Sequence, residues 1–211
     1  MAGFSKYRPP LLRSWHVLNG LVVLGLLGTV VLRKTVLSWR ANGPLIEAKV
    51  AELGGAVTSD QATAVAKLLR DQMWEWHHAL GVALLVLVVV RVAVVALDRE
   101  QSPLRTLSRA VAELRAAPGG ERPAAVHALL VKATHTAFYA LLLVMSATGA
   151  TLLFREELGV GEGVVEWVKE THELLMWGIA AFVPLHVVGV VVAELRGERG
   201  LVSEMIHGGR R

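Results

Sequence analysis

Four apolar stretches constrain this chain most: roughly Trp15–Leu32, His77–Leu97, Ala124–Phe154 and Val164–Leu195. Each is long enough to cross a hydrocarbon core of about 30 Å as an α-helix. The expected fold is an all-α integral membrane four-helix bundle, a single domain over residues 1–211. The third and fourth stretches exceed what a bilayer needs, so they tilt or protrude. A hydrophobic share of 54% and a mean hydropathy of +0.49 belong to a membrane protein rather than to an ordinary soluble domain. The first stretch does not read as a cleaved signal. It carries His16 and Asn19 early and shows no small-residue cleavage site before Arg33 and Lys34.

Cysteine is absent. That excludes disulfides, thiolate-bound iron–sulfur clusters and a Cys-x-x-Cys-His haem attachment. The basic pI of 9.8 comes from bands of Lys and Arg beside the apolar stretches, which indicate topology and contact with anionic lipid rather than nucleic acid. The N-terminal tail has Lys6, Arg8 and Arg13. The second connection has Arg99, Arg105, Arg109, Arg115 and Arg122, and the C-terminal tail has Arg196, Arg199, Arg210 and Arg211. The third connection is acidic, with Glu156, Glu157, Glu162 and Glu166. The positive-inside rule places both termini and the middle connection in the cytoplasm. Arg33, Lys34, Arg40, Lys49, Lys67 and Arg70 in the first connection run against this, but long loops count for less.

The connections carry short helices of their own. Pro44–Leu53 reads as a helix ended by Gly54 and Gly55. Thr58 to Gln61 has the spacing of a capping box, from which helical character runs on into the second span. Trp39, Trp74 and Trp76 fall at the outer interface, where indoles are favoured. Leu104, Leu107, Val111 and Leu114 form one face of an amphipathic helix on the cytoplasmic surface, ended by Pro118-Gly119-Gly120.

Histidines carry the chemistry. His172 and His186 stand fourteen residues apart, almost four turns, so both leave one helix face about 21 Å apart. An imidazole inside a membrane is costly without a partner, so such a pair marks a functional site. His16 opens the first span on the cytoplasmic side, and His77 and His78 open the second near the outer face. Depth pairs His77 or His78 with His172, and His16 with His186. Two bis-histidine sites suit the iron of two non-covalent haem b groups. Gly20, Gly25, Gly28, Gly81, Ala147, Gly149, Gly178 and Gly189 either make room for macrocycles or allow close helix packing. Arg91, fourteen residues after His77, either reaches a propionate of the inner haem or snorkels to the interface.

These residues resemble the bacterial cytochrome b561 family, which includes the membrane cytochrome b subunits of nickel–iron hydrogenases. The resemblance covers essentially the whole chain. Its markers are Ser14-Trp15-His16, His77 with Gly81 and Arg91, His135 with Gly149, His172-Glu173, Leu185-His186 and the tail Leu201–Gly208. The resemblance implies a four-helix membrane protein with two b-type haems that passes electrons between the quinone pool and a redox partner, often as a subunit of an oxidoreductase. It implies His16, His77, His172 and His186 as axial ligands, which favours His77 over His78. The long first connection and the extended middle one depart from the family's pattern and leave the redox partner open.

Other polar residues have plainer roles. His78 points about 100° away from His77 and packs at the interface. His135 reads as a satisfied histidine, with a propionate or quinone contact as the alternative. His127 and His207 are interfacial, and Lys132 snorkels. Pro184, two residues before His186, should kink the fourth span. Glu173 caps the helix or relays protons to a quinone.

The first functional expectation is a dihaem electron carrier with membrane lipid, quinone and a partner subunit or cytochrome around it, and a homodimer within its range. A second is a stand-alone oxidoreductase passing electrons from a small donor such as superoxide to quinone. From another class comes a histidine-based metal transporter. The lack of Cys and the scarcity of acids within the spans count against that last reading.

Overall fold

The computed structural model describes residues 10–196 and 200–207. The tail positions Lys6, Arg8, Arg199, Gly208, Arg210 and Arg211, and the side chain of His207, lie outside the described part. Helices follow in the order α1 (Pro10–Lys34), α2 (Trp39–Glu52), α3 (Ser59–Leu97), a 3₁₀ turn (Arg99–Gln101), α4 (Pro103–Ala116), α5 (Arg122–Leu153), α6 (Glu162–Leu195) and α7 (Leu201–His207). No strand occurs among the described residues. Four helices, α1, α3, α5 and α6, are long and apolar enough to cross a membrane. The fold is an all-α membrane fold.

Local chemistry explains where the helices start and stop. Thr58 and Gln61 form a reciprocal capping box. The Thr58 amide donates to Gln61 Oε1 at 2.9 Å and the Gln61 amide to Thr58 Oγ1 at 3.2 Å. With that start secured, α3 runs unbroken for 39 residues, about 58 Å at 1.5 Å per residue, well beyond a hydrocarbon core. α2 ends in a Schellman motif: Gly55 N–H reaches the Val50 carbonyl, Gly54 N–H reaches that of Ala51, and Gly54 takes φ +80°. α2 starts at Trp39, five residues before the expected Pro44. A turn over 35–38 leads straight into it, and the Asn42 side chain closes that turn on the Val36 carbonyl at 2.7 Å. Pro44 then sits inside the helix and forfeits a single bond to the Arg40 carbonyl.

The chain divides into two compact units, Met1–Val17 with Leu85–Arg211, and Leu18–Leu84. In the smaller unit, α1 and the first part of α3 run antiparallel. Gly25 faces Leu80, Thr29 meets His77, and Arg33 lies 4.3 Å above the Trp74 ring while pairing with Asp71 at 3.6 Å. α2 meets α3 where Gly43, buried, leaves room for Thr63.

In the larger unit, α5 and α6 are antiparallel neighbours. Phe138 stacks on Phe182 at 3.9 Å, Leu141 fills the space over Gly178, and Thr148 meets His172. Leu142, Val168 and Ile179 are buried there. α4 packs along α5, with Ala110 buried and the Thr136 hydroxyl 3.3 Å from the Pro103 carbonyl. Of the apolar face read from the sequence, Leu104 stays 70% exposed, while Leu107, Val111 and Leu114 are half-buried. Glu100 pairs with both Arg105 and Arg109 at the start of that helix.

Candidate functional site

The first cluster of polar residues lies in the larger unit, where the start of α1 meets α6. His16 and His186 place their ring centroids 6.1 Å apart with 54° between the planes, and both are half-buried. Helix periodicity puts each there: His16 follows Trp15, whose buried ring stacks on Tyr139 at 5.8 Å and whose indole N–H donates to the Leu87 carbonyl at 2.7 Å. Trp15 therefore anchors the start of α1, and the next residue is held in place. His186 stacks on Phe182, one turn earlier, at 5.5 Å. Pro184 lies between them in a helix that continues to Leu195, and its missing N–H leaves the Ala180 carbonyl without its usual helical donor.

Arg91 lies at the same end of this unit. Its guanidinium carbon is 5.8 Å from the Trp15 ring and 5.4 Å from that of Tyr139, within cation–π range. His135 meets His186 edge-on at 5.5 Å. The Nδ1 of His135 lies 2.7 Å from the carbonyl of Val131, one turn back on α5. A carbonyl only accepts, so that nitrogen carries the proton and His135 is tied to its own helix.

His172 occupies the other end of the α5–α6 pair. Its Nδ1 is 2.9 Å from the hydroxyl of Thr148, and its Cε1 would lie 3.2 Å from a Cβ on Gly149. Glycine at 149 is what lets the imidazole approach α5 so closely.

His77 belongs to the smaller unit. Its Nδ1 is 2.9 Å from the hydroxyl of Thr29 on α1, and its ring stands edge-on to Trp74 at 5.2 Å. His78 is exposed and stacks on the same indole at 6.2 Å and 9°. The structure thus brings His16, His186 and Arg91 to one end of the larger unit. It gives His172 and His77 matching threonine partners, each within its own unit.

Two features escaped the sequence reading. One is the threonine partners. Between His16 and Arg33, Asn19 and Thr29 are the only polar side chains, so a census of polar residues inside the span would have singled out Thr29. Thr148 carried no such mark, because α5 holds several hydroxyls. The other is a set of buried polar atoms without hydrogen-bond partners among the described residues: Nε and Nη1 of Arg13, Nε of Arg33, Oδ1 of Asn19 and Oγ of Ser146. No group of three His, Asp or Glu close enough to hold a metal ion occurs among the described residues.

A surface groove of about 530 Å³ is bordered by Val95, Arg99, Ser102, Leu104 and Arg105, and none of these histidines lines it.

A family model, that of the prokaryotic cytochrome b561 family, matches residues 7–208. The chain belongs to that family. No curated protein and no solved structure matches it. It is a multi-pass bacterial membrane cytochrome of the b type that binds b-type haem and works in electron transfer in contact with lipid.

The residues present fit such a group. Two imidazoles on opposite sides of one metal, with bonds of about 2.0–2.1 Å, would set ring centroids about 6.3 Å apart once the ring radii are added. The separation of His16 and His186, 6.1 Å, matches that spacing. Haem also carries carboxylates, and the buried guanidinium nitrogens of Arg13, one turn before His16, are donors without an acceptor among the described residues. Leaving such a group unpaired costs about 1–3 kcal/mol or more, which a carboxylate would offset.

Proposed function

We propose that this cytochrome carries two b-type haems and passes electrons between the quinone pool and a redox partner protein in the bacterial inner membrane, with both termini in the cytoplasm. His16 and His186 are the axial ligands of the inner haem, and His77 and His172 those of the outer one. Arg91 and Arg13 offer positive charge to the inner haem's carboxylates. Haem, when bound, supplies a one-electron iron couple; the chain supplies ligands, burial and charge.

The single observation that carries the reading is the 6.1 Å between the His16 and His186 rings, from helices at opposite ends of the sequence. Filled axial positions on both sides suit an electron carrier, since an open one would bind oxygen. For the second pair, the sequence supplies the support: His172 lies fourteen residues before His186 on one helix face, and His77 opens the second span near the outer face.

Haem content of the purified protein tests this. Two protoporphyrin haems per chain are expected, and His186→Ala should remove one while leaving the other with normal bands. A chain that holds no haem, or a His186→Ala variant that still holds two, would refute the assignment.

A further inference from the structure

We propose that Thr29 and Thr148 are positioning residues that fix the proton of His77 and His172 on Nδ1, which makes Nε2 of each the nitrogen that would bind iron. The inference rests on the ligand assignment above and extends it to α5, a helix that supplies no ligand of its own.

The argument is one of proton count. Thr29 Oγ1 lies 2.7 Å from the carbonyl of Leu26 and 2.9 Å from Nδ1 of His77. Thr148 Oγ1 lies 2.9 Å from the carbonyl of Val144, 3.0 Å from that of Met145 and 2.9 Å from Nδ1 of His172. A hydroxyl owns one proton, and a carbonyl oxygen can only accept. The hydroxyl proton therefore belongs to the helix carbonyl, and the threonine oxygen accepts from the ring N–H; at His172 the Met145 carbonyl is a second acceptor for the ring. The alternative would press two acceptor oxygens together at 2.7 Å in the Thr29 case. Both threonines are buried, at 8% exposure, so water does not compete for the bond.

Threonine suits the task. Inside a helix its hydroxyl turns back onto a carbonyl of the preceding turn, and its second branch stiffens χ1. The acceptor lone pair is then aimed in a fixed direction. In both cases the threonine stands on the helix that packs against the ligand's helix: α1 for His77 on α3, and α5 for His172 on α6. Gly149, next to Thr148, keeps the space in front of the His172 ring open.

The same bonds tune the metal. An imidazole that donates from Nδ1 is a more basic ligand at Nε2, and a more basic ligand favours ferric over ferrous iron. The outer haem should therefore have a lower midpoint potential than it would without the two threonines.

Thr29→Val and Thr148→Val remove the acceptor at nearly constant shape, while Thr29→Ser and Thr148→Ser keep it. Redox titrations followed in the α-band, beside haem counts, are the readout. The valine variants should shift one of two midpoints upward, the double variant further, and the serine variants should return toward the parent. Loss of one haem in the valine variants, with retention in the serine ones, supports the same role. Two-haem valine variants with both midpoints unmoved would overturn it, as would equal haem loss in valine and serine variants. A parent protein without haem, or a His77→Ala variant that keeps two haems, would instead break the ligand assignment and the inference with it.

Discussion

Replacing Gly149 by alanine would set a methyl group against the imidazole of His172. Built on the existing backbone, that Cβ lies 3.2 Å from Cε1 and 3.8 Å from Nδ1 of the ring. Ordinary contact begins at 3.4 Å, so the ring must withdraw by a few tenths of an ångström. The backbones have little freedom to move instead. Phe138 stacks on Phe182 and Leu141 presses on Gly178 along the same α5–α6 seam. The strain therefore falls on the 2.9 Å contact between Nδ1 and the Thr148 hydroxyl, stretching it to about 3.2 Å, the long edge of a useful hydrogen bond.

Two opposing terms decide the outcome for stability. Alanine is favoured over glycine in a helix by about 0.8–1.0 kcal/mol. A weakened hydrogen bond gives back part of a net worth of about 0.5–1.5 kcal/mol. The fold should therefore change by less than about 1 kcal/mol in either direction. Haem retention should change far more, because disturbing the partner of a metal-bound histidine typically costs about 10–100-fold in affinity. The assay is the rate of haem transfer from detergent-purified protein to an excess apo-globin, run beside a thermal melt of helical signal. Faster loss of one haem, with an unchanged melt, is expected. Parent-like loss of both haems from a protein with an unchanged melt would refute the claim that Gly149 makes room for a ligand.

Two other perturbations separate local effects from site effects. Thr58→Ala removes one half of the capping box and should cost about 1 kcal/mol at the start of α3, seen as faster hydrogen exchange of the amides of residues 59–62 with both haems retained; unchanged exchange there would mean the box contributes nothing. Arg91→Leu removes a positive charge from beside Trp15 and Tyr139, so the haem we assign to His16 and His186 should titrate at a lower potential, by on the order of 1 kcal/mol at an effective dielectric near 20. An unmoved midpoint would take Arg91 out of the site.

The spans were legible because they follow from a count: an apolar run of sufficient length has few ways to exist. Their ends were legible only where a side chain punctuates the helix. Thr58 and Gln61 announce the start of α3, and Gly54 announces the stop of α2 through a backbone angle that other residues resist. Pro44 misled because proline marks a first turn so often, whereas here the stronger signal was the tight turn at 35–38, made of residues with no turn signature of their own. The histidines were visible as chemistry and as register, since periodicity on one helix needs no tertiary knowledge. What sets an imidazole's tautomer was not visible, because it depends on which residue of a neighbouring helix stands opposite. Thr29 meets His77 from 48 residues away and Thr148 meets His172 from 24, and no spacing rule connects either pair. The division has a physical cause. Composition and period belong to one segment at a time, while a ligand's electronic state belongs to the contact between two. If the proposed ligands hold iron, the chain's influence on it is exerted at helix seams, and the hydroxyls and glycines facing His77 and His172 are where sequence changes should alter potential without altering fold.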